Sequence, residues 1–178
     1  TNAGVHTYSF KEVNRSAPSD PELVTIFGER LIVAGHSENP QVVAWSTRLS
    51  PENFTGSSAG TVDVGDQIVG IKSFRNKLII FCKNSIYQLS GLDTTAVLSS
   101  VTKNIGCVGG KTIQEIGGDL IFLSPDGLRT IAGTARIDDI ELGSISRKVL
   151  PIFRDDIFPN LTSLTFSSMV IREKSQYR

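Results

Sequence analysis

The sequence predicts an all-β fold of propeller-like sheets, and three observations carry that expectation. A pattern of three strands and two turns recurs at 21–46, 67–91 and 110–133. Its anchor leucines, Leu31, Leu78 and Leu120, stand 47 and 42 residues apart. A β-meander repeating at roughly 40–50 residues has the period of a propeller blade. The middle strand of each copy is also a continuous apolar run: Leu31-Ile32-Val33, Leu78-Ile79-Ile80-Phe81 and Leu120-Ile121-Phe122-Leu123. Alternating strands bury one face, whereas unbroken apolar runs suit a sheet covered on both faces.

Residues 1–20 are polar and mixed, closed by Pro18 and Pro21, and read as an N-terminal arm with one strand near 5–10. The first repeat places strands at 22–27, 30–34 and 41–45. A tight Gly28-Glu29 turn joins the first two, and a turn at 36–40 leads to the third. The tract 47–60 is rich in Ser, Gly and Pro and reads as a surface loop. A short strand at 61–64 precedes Gly65-Asp66. The second repeat has strands at 68–74, 77–82 and 85–89, with turns at Phe74-Arg75-Asn76 and Lys83-Asn84, and 96–103 forms a fourth, outer strand. The third repeat has strands at 112–116, 120–123 and 128–131. Its turns, Gly117-Gly118-Asp119 and Pro125-Asp126-Gly127, consist of residues that tolerate positive φ or preset φ.

After 133 the pattern changes. Residues 134–178 read as a connector with one short helix near 145–156, limited by Pro151. A fourth repeat then starts with a strand at 164–171, a turn at 172–175 and a second strand from Gln176. Propellers typically close with four to eight blades. Three and a half leave sheet edges to be covered by further blades or by neighbouring chains. The start at Thr1 and the break at Arg178 suggest a segment of a longer chain.

Composition narrows the function. Eighteen Lys and Arg balance eighteen Asp and Glu, so no global field draws the chain to nucleic acid or to an acidic membrane. No apolar run approaches the ~18 residues of a transmembrane helix, and no secretory signal is visible. The only cysteines, Cys82 and Cys107, read as two free thiols of a protein made in a reducing cytosol.

Catalytic constellations are weak. His6 and His36 are the only histidines, which argues against a His-based metal site or triad. Asp138-Asp139 and Asp155-Asp156 are adjacent doublets with no reason to converge as a glycosidase pair. There is no GxxxxGK[ST] loop, and the run from Gly106 to Gly110 reads as a bend between blades sooner than a phosphate cradle. Ser124-Pro125-Asp126-Gly127 has part of the Asp-box turn of sialidase-type propellers, but lacks its spacing and aromatic, and reads as a plain hairpin. Asn53-Phe54-Thr55 and Asn160-Leu161-Thr162 match the glycosylation pattern by chance in a chain without a secretory signal. Trp45 reads as a core-edge residue, with a ligand platform as the alternative. Neither a catalytic residue, a cofactor nor a metal is expected. One charge feature remains. Between Asp66 and Asp93, Lys72, Arg75, Lys77 and Lys83 occur without an acid, a local charge of +4. Loops facing a lumen could place them against DNA phosphates; solvated turn residues are the plainer reading.

The strings FRNKLIIFCKNSIYQLSG and NIGCVGGKTIQEIGGDLIFLSPDGLRTIAG resemble virion proteins of tailed bacteriophages, as does RLIVAGHSENPQVVAWSTRLSPENF upstream. The shared run is a Phe-x-Asn-x-Leu strand, a Ser-Ile-Tyr strand, a Gly-Cys-hydrophobic-Gly turn and a Phe-hydrophobic-Ser-x-Asp-Gly hairpin. The nearest family is the tail tubular protein B, or tail nozzle, family of short-tailed phages, and the resemblance spans about residues 22–133. It implies a non-enzymatic structural subunit of a hexameric ring of identical chains in the virion tail, assembled in the bacterial cytoplasm. It further implies an adaptor or tail tube protein and tail fibres as partners, and transient contact with phage DNA during ejection. Subunits of this family are much longer than 178 residues. The rival readings are a receptor- or glycan-binding tail domain, for which Trp45 or Tyr87 would meet sugar, and a propeller glycosidase.

Overall fold

A computed structural model describes residues 18–92, 95–132, 150–160, 164–174 and 176–177. The chain is all-β, in four antiparallel sheets with one short helical segment. The first sheet is a four-stranded meander, β1 (Pro21–Phe27), β2 (Arg30–His36), β3 (Val42–Trp45) and β4 (Gly60–Asp63). The second repeats it with β5 (Ile68–Phe74), β6 (Lys77–Cys82), β7 (Ile86–Ser90) and β8 (Val97–Thr102). The third holds β9 (Gln114–Ile116), β10 (Asp119–Ser124) and β11 (Gly127–Thr130), and the fourth only β12 (Val170–Ile171) and β13 (Gln176–Tyr177).

The three predicted repeats are thus sheets, two of them with a fourth strand. β4 belongs to the first sheet because Val43 pairs with Val62 across the 47–60 loop. The turns behave as their residues demand. Gly28 and Glu29 take φ 57° each, the left-handed pair that matches the right-handed twist of a two-residue hairpin.

The continuous apolar strands are covered on both sides. Along β6, Leu78, Ile80 and Cys82 point into a core layer shared with Ile32, Ala34, Val43 and Trp45 of the first sheet. Ile79 and Phe81 point the other way, into a layer shared with Leu120 and Phe122 of the third. The rings of Phe81 and Phe122 meet at 5.2 Å between centroids and 59°. Strand pleat makes this division automatic, since successive side chains take opposite faces. The second sheet therefore turns its anchor-leucine face towards the first sheet and its Ile79 face towards the third. The described residues form a stacked series of sheets, not a closed ring.

One expectation shifts and another is described only in part. Of the helix expected near 145–156, residues 145–149 lie outside the described residues; from Leu150 a turn of α-helix, α1 (Leu150–Ile152), which contains Pro151, runs into a wider turn at Phe153–Ile157 and a tighter one at Phe158–Asn160. The predicted strand at 164–171 pairs only at Val170–Ile171. The stretch before it bonds by side chain instead. Ser168 offers its carbonyl to Gln114 at 3.0 Å and its hydroxyl to the Lys111 carbonyl at 2.8 Å, while Tyr177 donates to the Thr112 carbonyl at 2.7 Å. The fourth unit thus docks on the segment leading into β9. The N-terminal strand near 5–10, His6 and the Asp138-Asp139 doublet fall outside the described residues. No helix among the described residues is long and apolar enough to cross a membrane.

Candidate functional site

The basic quartet expected to face DNA sits on the β5–β6 hairpin and the turn after it, and the fold divides it. Lys72 is exposed on β5, an edge strand of its sheet. Arg75 occupies the β5–β6 turn in the left-handed region, φ 51°, and Lys77 opens β6. Lys83 lies beyond the far end of β6, six residues from Lys77, or about 20 Å at the usual strand rise. Lys72, Arg75 and Lys77 therefore share one region, and Lys83 does not.

Arg75 is held rather than loose. Its guanidinium lies over the Phe74 ring, 5.0 Å from the centroid, and Nη2 donates to the Gly118 carbonyl at 2.8 Å. That bond ties the first turn of the second sheet to the first turn of the third. Lys77 donates to Gln88 Oε1 at 2.8 Å across β6 and β7. A cleft of about 400 Å³ opens beside Arg75, lined by Phe27, Gly28, Ser73, Asn76, Gly91 and Leu92. It lies where the turn ends of the first two sheets meet.

Sequence reasoning missed Arg30, which performs the equivalent task one sheet earlier. It is buried, with Nη1 donating to the Ser46 and Ser58 carbonyls at 3.1 and 2.8 Å and Nη2 to the Leu92 carbonyl at 3.3 Å. It joins the 47–60 loop and the second sheet to the first. An Arg directly after a Gly-Glu turn was the available signal, but its inward direction depends on a loop it meets only in the fold. Arg129 is also buried, ion-paired with Asp126 and bonded from Nε to Asp126 Oδ1 at 2.8 Å. Partial burial opposes the Asp126 charge, but hydrogen bonds from Arg129 and Ser124 outweigh it and hold the carboxyl below its usual range. Asp126 thus closes the β10–β11 hairpin, as a plain turn residue does.

Asp66 clamps the opposite hairpin. It accepts from the Asn84 N–H at 2.8 Å, the Asn84 amide at 3.3 Å and the Ser85 hydroxyl at 2.7 Å. Partial desolvation raises its pKa, yet the bonds from Ser85, Asn84 and the Gln67 backbone prevail and the net shift is downward.

The Gly-rich run after β8 is a strap between sheets. Cys107 N–H donates to the Cys82 carbonyl at 2.9 Å and Val108 N–H to the Leu123 carbonyl at 2.8 Å. Two amides of the run are thus spent in joining the second sheet to the third, as a bend between sheets requires. Cys82 and Cys107 are both free and buried. Their side chains enter different core layers, the first and second respectively. Burial first, and the Asp66 charge second, push the Cys82 thiol up to about 12; burial pushes Cys107 up to about 11.

Trp45 is 6% exposed and lies flat against Gly60 of β4, where an added Cβ would fall 2.5 Å from the ring. It is a core residue, and Tyr87 is half-buried against the same layer. His36 lines a smaller cavity of about 210 Å³ with Pro18, Ser19, Glu38, Asn39 and Val42. Its Nδ1 faces the Ser19 carbonyl at 3.1 Å. A carbonyl only accepts, so Nδ1 carries the proton. Asp155 of the second doublet pairs with exposed Arg154 at 2.7 Å. Asn53 Oδ1 accepts from the Thr55 and Gly56 N–H groups at 3.1 and 3.0 Å, organising the surface loop. Among the described residues, no group of three or more His, Cys, Asp or Glu side chains is placed to hold a metal ion.

No protein-family model matches this chain, and a search of curated proteins finds no significant match.

Proposed function

We propose that the chain is a non-enzymatic structural subunit of a bacteriophage tail, part of a nozzle or tail-tube ring whose propeller-like sheets hold a channel for DNA ejection and anchor neighbouring tail proteins or fibres. The observation that carries this reading is the repeated stapling of sheet to sheet. Arg30 reaches Leu92, Arg75 reaches Gly118, and the 106–110 strap bonds to Cys82 and Leu123. Charged and backbone groups that an enzyme would aim into a cleft are used here to join sheets. The propeller arrangement draws support from the first strands, since β1 lies alongside β5 and β9 alongside β12, as blades do around an axis. The phage assignment rests on the sequence resemblance over 22–133.

Mass photometry and electron microscopy of the purified protein test the reading. Rings of identical copies are expected, and a stable monomer at micromolar concentration would remove the ring. The proposed channel-lining role of the basic residues has its own test in phage carrying neutral replacements of Lys72, Arg75 and Lys77. DNA ejection should slow and become less sensitive to salt, the slope falling by about 0.9 for each phosphate no longer neutralised. Unchanged ejection retires that role. Lys83→Gln alone, at the far end of β6, should leave ejection as it is.

A further inference from the structure

The cleft of about 400 Å³ between the turn ends of the first two sheets is built on unusual backbone. Gly28, Arg75 and Gly91 all line it, and all take positive φ, 57°, 51° and 73°. Glycine meets that demand without steric cost. The same two-residue hairpin opens each of the first three sheets, closed by the pairs Phe27–Arg30, Phe74–Lys77 and Ile116–Asp119. In the first and third sheets its leading residue is glycine, Gly28 and Gly117, at φ 57° and 61°. Only the second sheet of the three puts a long charged side chain there, Arg75. A non-glycine residue held in the left-handed region is a mark of sites where the side chain itself is needed.

The Arg75 guanidinium is fixed in place but not used up. It lies over the Phe74 ring, and Nη2 spends one N–H on the Gly118 carbonyl. A guanidinium has five N–H donors, and among the described residues no carboxylate pairs with this one. Ser73 and Asn76 line the same cleft with a hydroxyl and an amide, and Phe27 and Leu92 supply apolar walls. We propose that this cleft binds an acidic side chain of a partner protein, its carboxylate held by Arg75 and its methylenes against Phe27 and Leu92. The planar fork of arginine meets a carboxylate in two parallel hydrogen bonds. The charge count favours this ligand over nucleic acid. Among the described residues Arg75 is the one charged side chain lining the cleft, and Lys72 and Lys77 do not line it. Duplex DNA carries one charge for about every 1.7 Å of axis and is held by many cations. A lone cation between apolar walls suits a lone carboxylate. The assignment goes beyond the phage reading and stands without it.

Amide NMR spectra of the intact protein test this, titrated with a blocked Gly-Glu-Gly tripeptide, its Gly-Gln-Gly counterpart and a short oligothymidylate. Saturable shifts at Gly28, Ser73, Asn76 and Gly91 are expected with the Glu peptide, and binding roughly 10-fold or more weaker with the Gln peptide. Arg75→Gly, which installs the residue of the two sister turns, should weaken the Glu peptide to the same extent. Arg75→Lys, which keeps the charge without the fork, should restore only part of the binding. Lys83→Gln, which removes one charge at the far end of β6, should leave it as it is. Absence of saturable shifts with the Glu peptide, equal shifts with the two peptides, or unchanged shifts in a folded Arg75→Gly protein each overturn the proposal. Oligothymidylate binding more tightly than the Glu peptide at these four amides assigns the cleft to phosphate and overturns it as well. If Arg75→Gly fails to fold for want of the bond to Gly118, the comparison of Glu with Gln peptide on the wild-type protein decides.

Discussion

Gly106 offers the sharpest test of the seam between the second and third sheets. A methyl added there would lie 1.9 Å from the Lys83 carbonyl oxygen, 2.2 Å from its carbon and 2.5 Å from the Asn84 nitrogen. A carbon and a carbonyl oxygen need about 3.3 Å, so the strap must retreat by roughly 1.4 Å. Its neighbour in the strap, Cys107, donates to the Cys82 carbonyl at 2.9 Å, and that retreat would break the bond. A buried N–H left unsatisfied costs about 1–3 kcal/mol, and forcing extra volume into a filled site costs about as much again. Gly106→Ala should therefore destabilise the chain by roughly 2–6 kcal/mol, lowering Tm by about 10 °C. Gly109, three residues on, is the control. Its backbone is extended, φ −165° and ψ 135°, and nothing lies within 4 Å of an added Cβ. Gly109→Ala should stay within about 0.5 kcal/mol of wild type, or gain slightly from a stiffer unfolded chain. Urea unfolding followed by the fluorescence of Trp45, the single tryptophan, measures both. Equal stability of the two variants would refute the close approach of the strap to the Lys83-Asn84 turn.

Three further outcomes follow from the same packing. Asp66 has a folded pKa below its unfolded value, so its contribution is present above the unfolded pKa, about 3.9, and is lost as pH falls through the folded one; Asp66→Asn should cost about 1–2 kcal/mol at neutral pH and weaken the loss of stability below about pH 4, read from acid titration of urea midpoints. Cys82 and Cys107, with thiols pushed up to about 12 and about 11, should resist a thiol reagent at pH 8 in the folded protein and react fully in urea, and a fast-reacting native thiol would contradict their burial. Phe81→Ala, which empties the space against Phe122, should cost about 3–5 kcal/mol in the same unfolding assay, and a loss below 1 kcal/mol would mean that the second core layer is not closed.

The strands were legible because their signals are local. Leu78-Ile79-Ile80-Phe81 is apolar at every position, and that alone states that both faces of β6 are covered. Gly28 and Gly117-Gly118 mark turns because few other residues accept their backbone angles. The pairing of β4 with β3 was harder, since a loop rather than a tight turn joins them and local pattern carries no register across it. Among site residues, the basic quartet was visible as a charge run, and its division was already implied by the strand expected at 77–82, which sets Lys77 and Lys83 about 20 Å apart; what was not legible is that Arg75 and Lys77 are tied to Gly118 and Gln88.

The sequence by itself determined the all-β class, the three meander repeats and the two-sided burial of their middle strands, because each follows from short-range pattern and backbone preference. The tertiary structure alone decided which face of each sheet meets which neighbour, that Arg30 and Arg75 staple sheets together, and that Trp45 packs on Gly60. Those outcomes depend on groups distant in the chain arriving within a few ångströms of one another. No local pattern encodes that distance; it emerges only when the sheets stack.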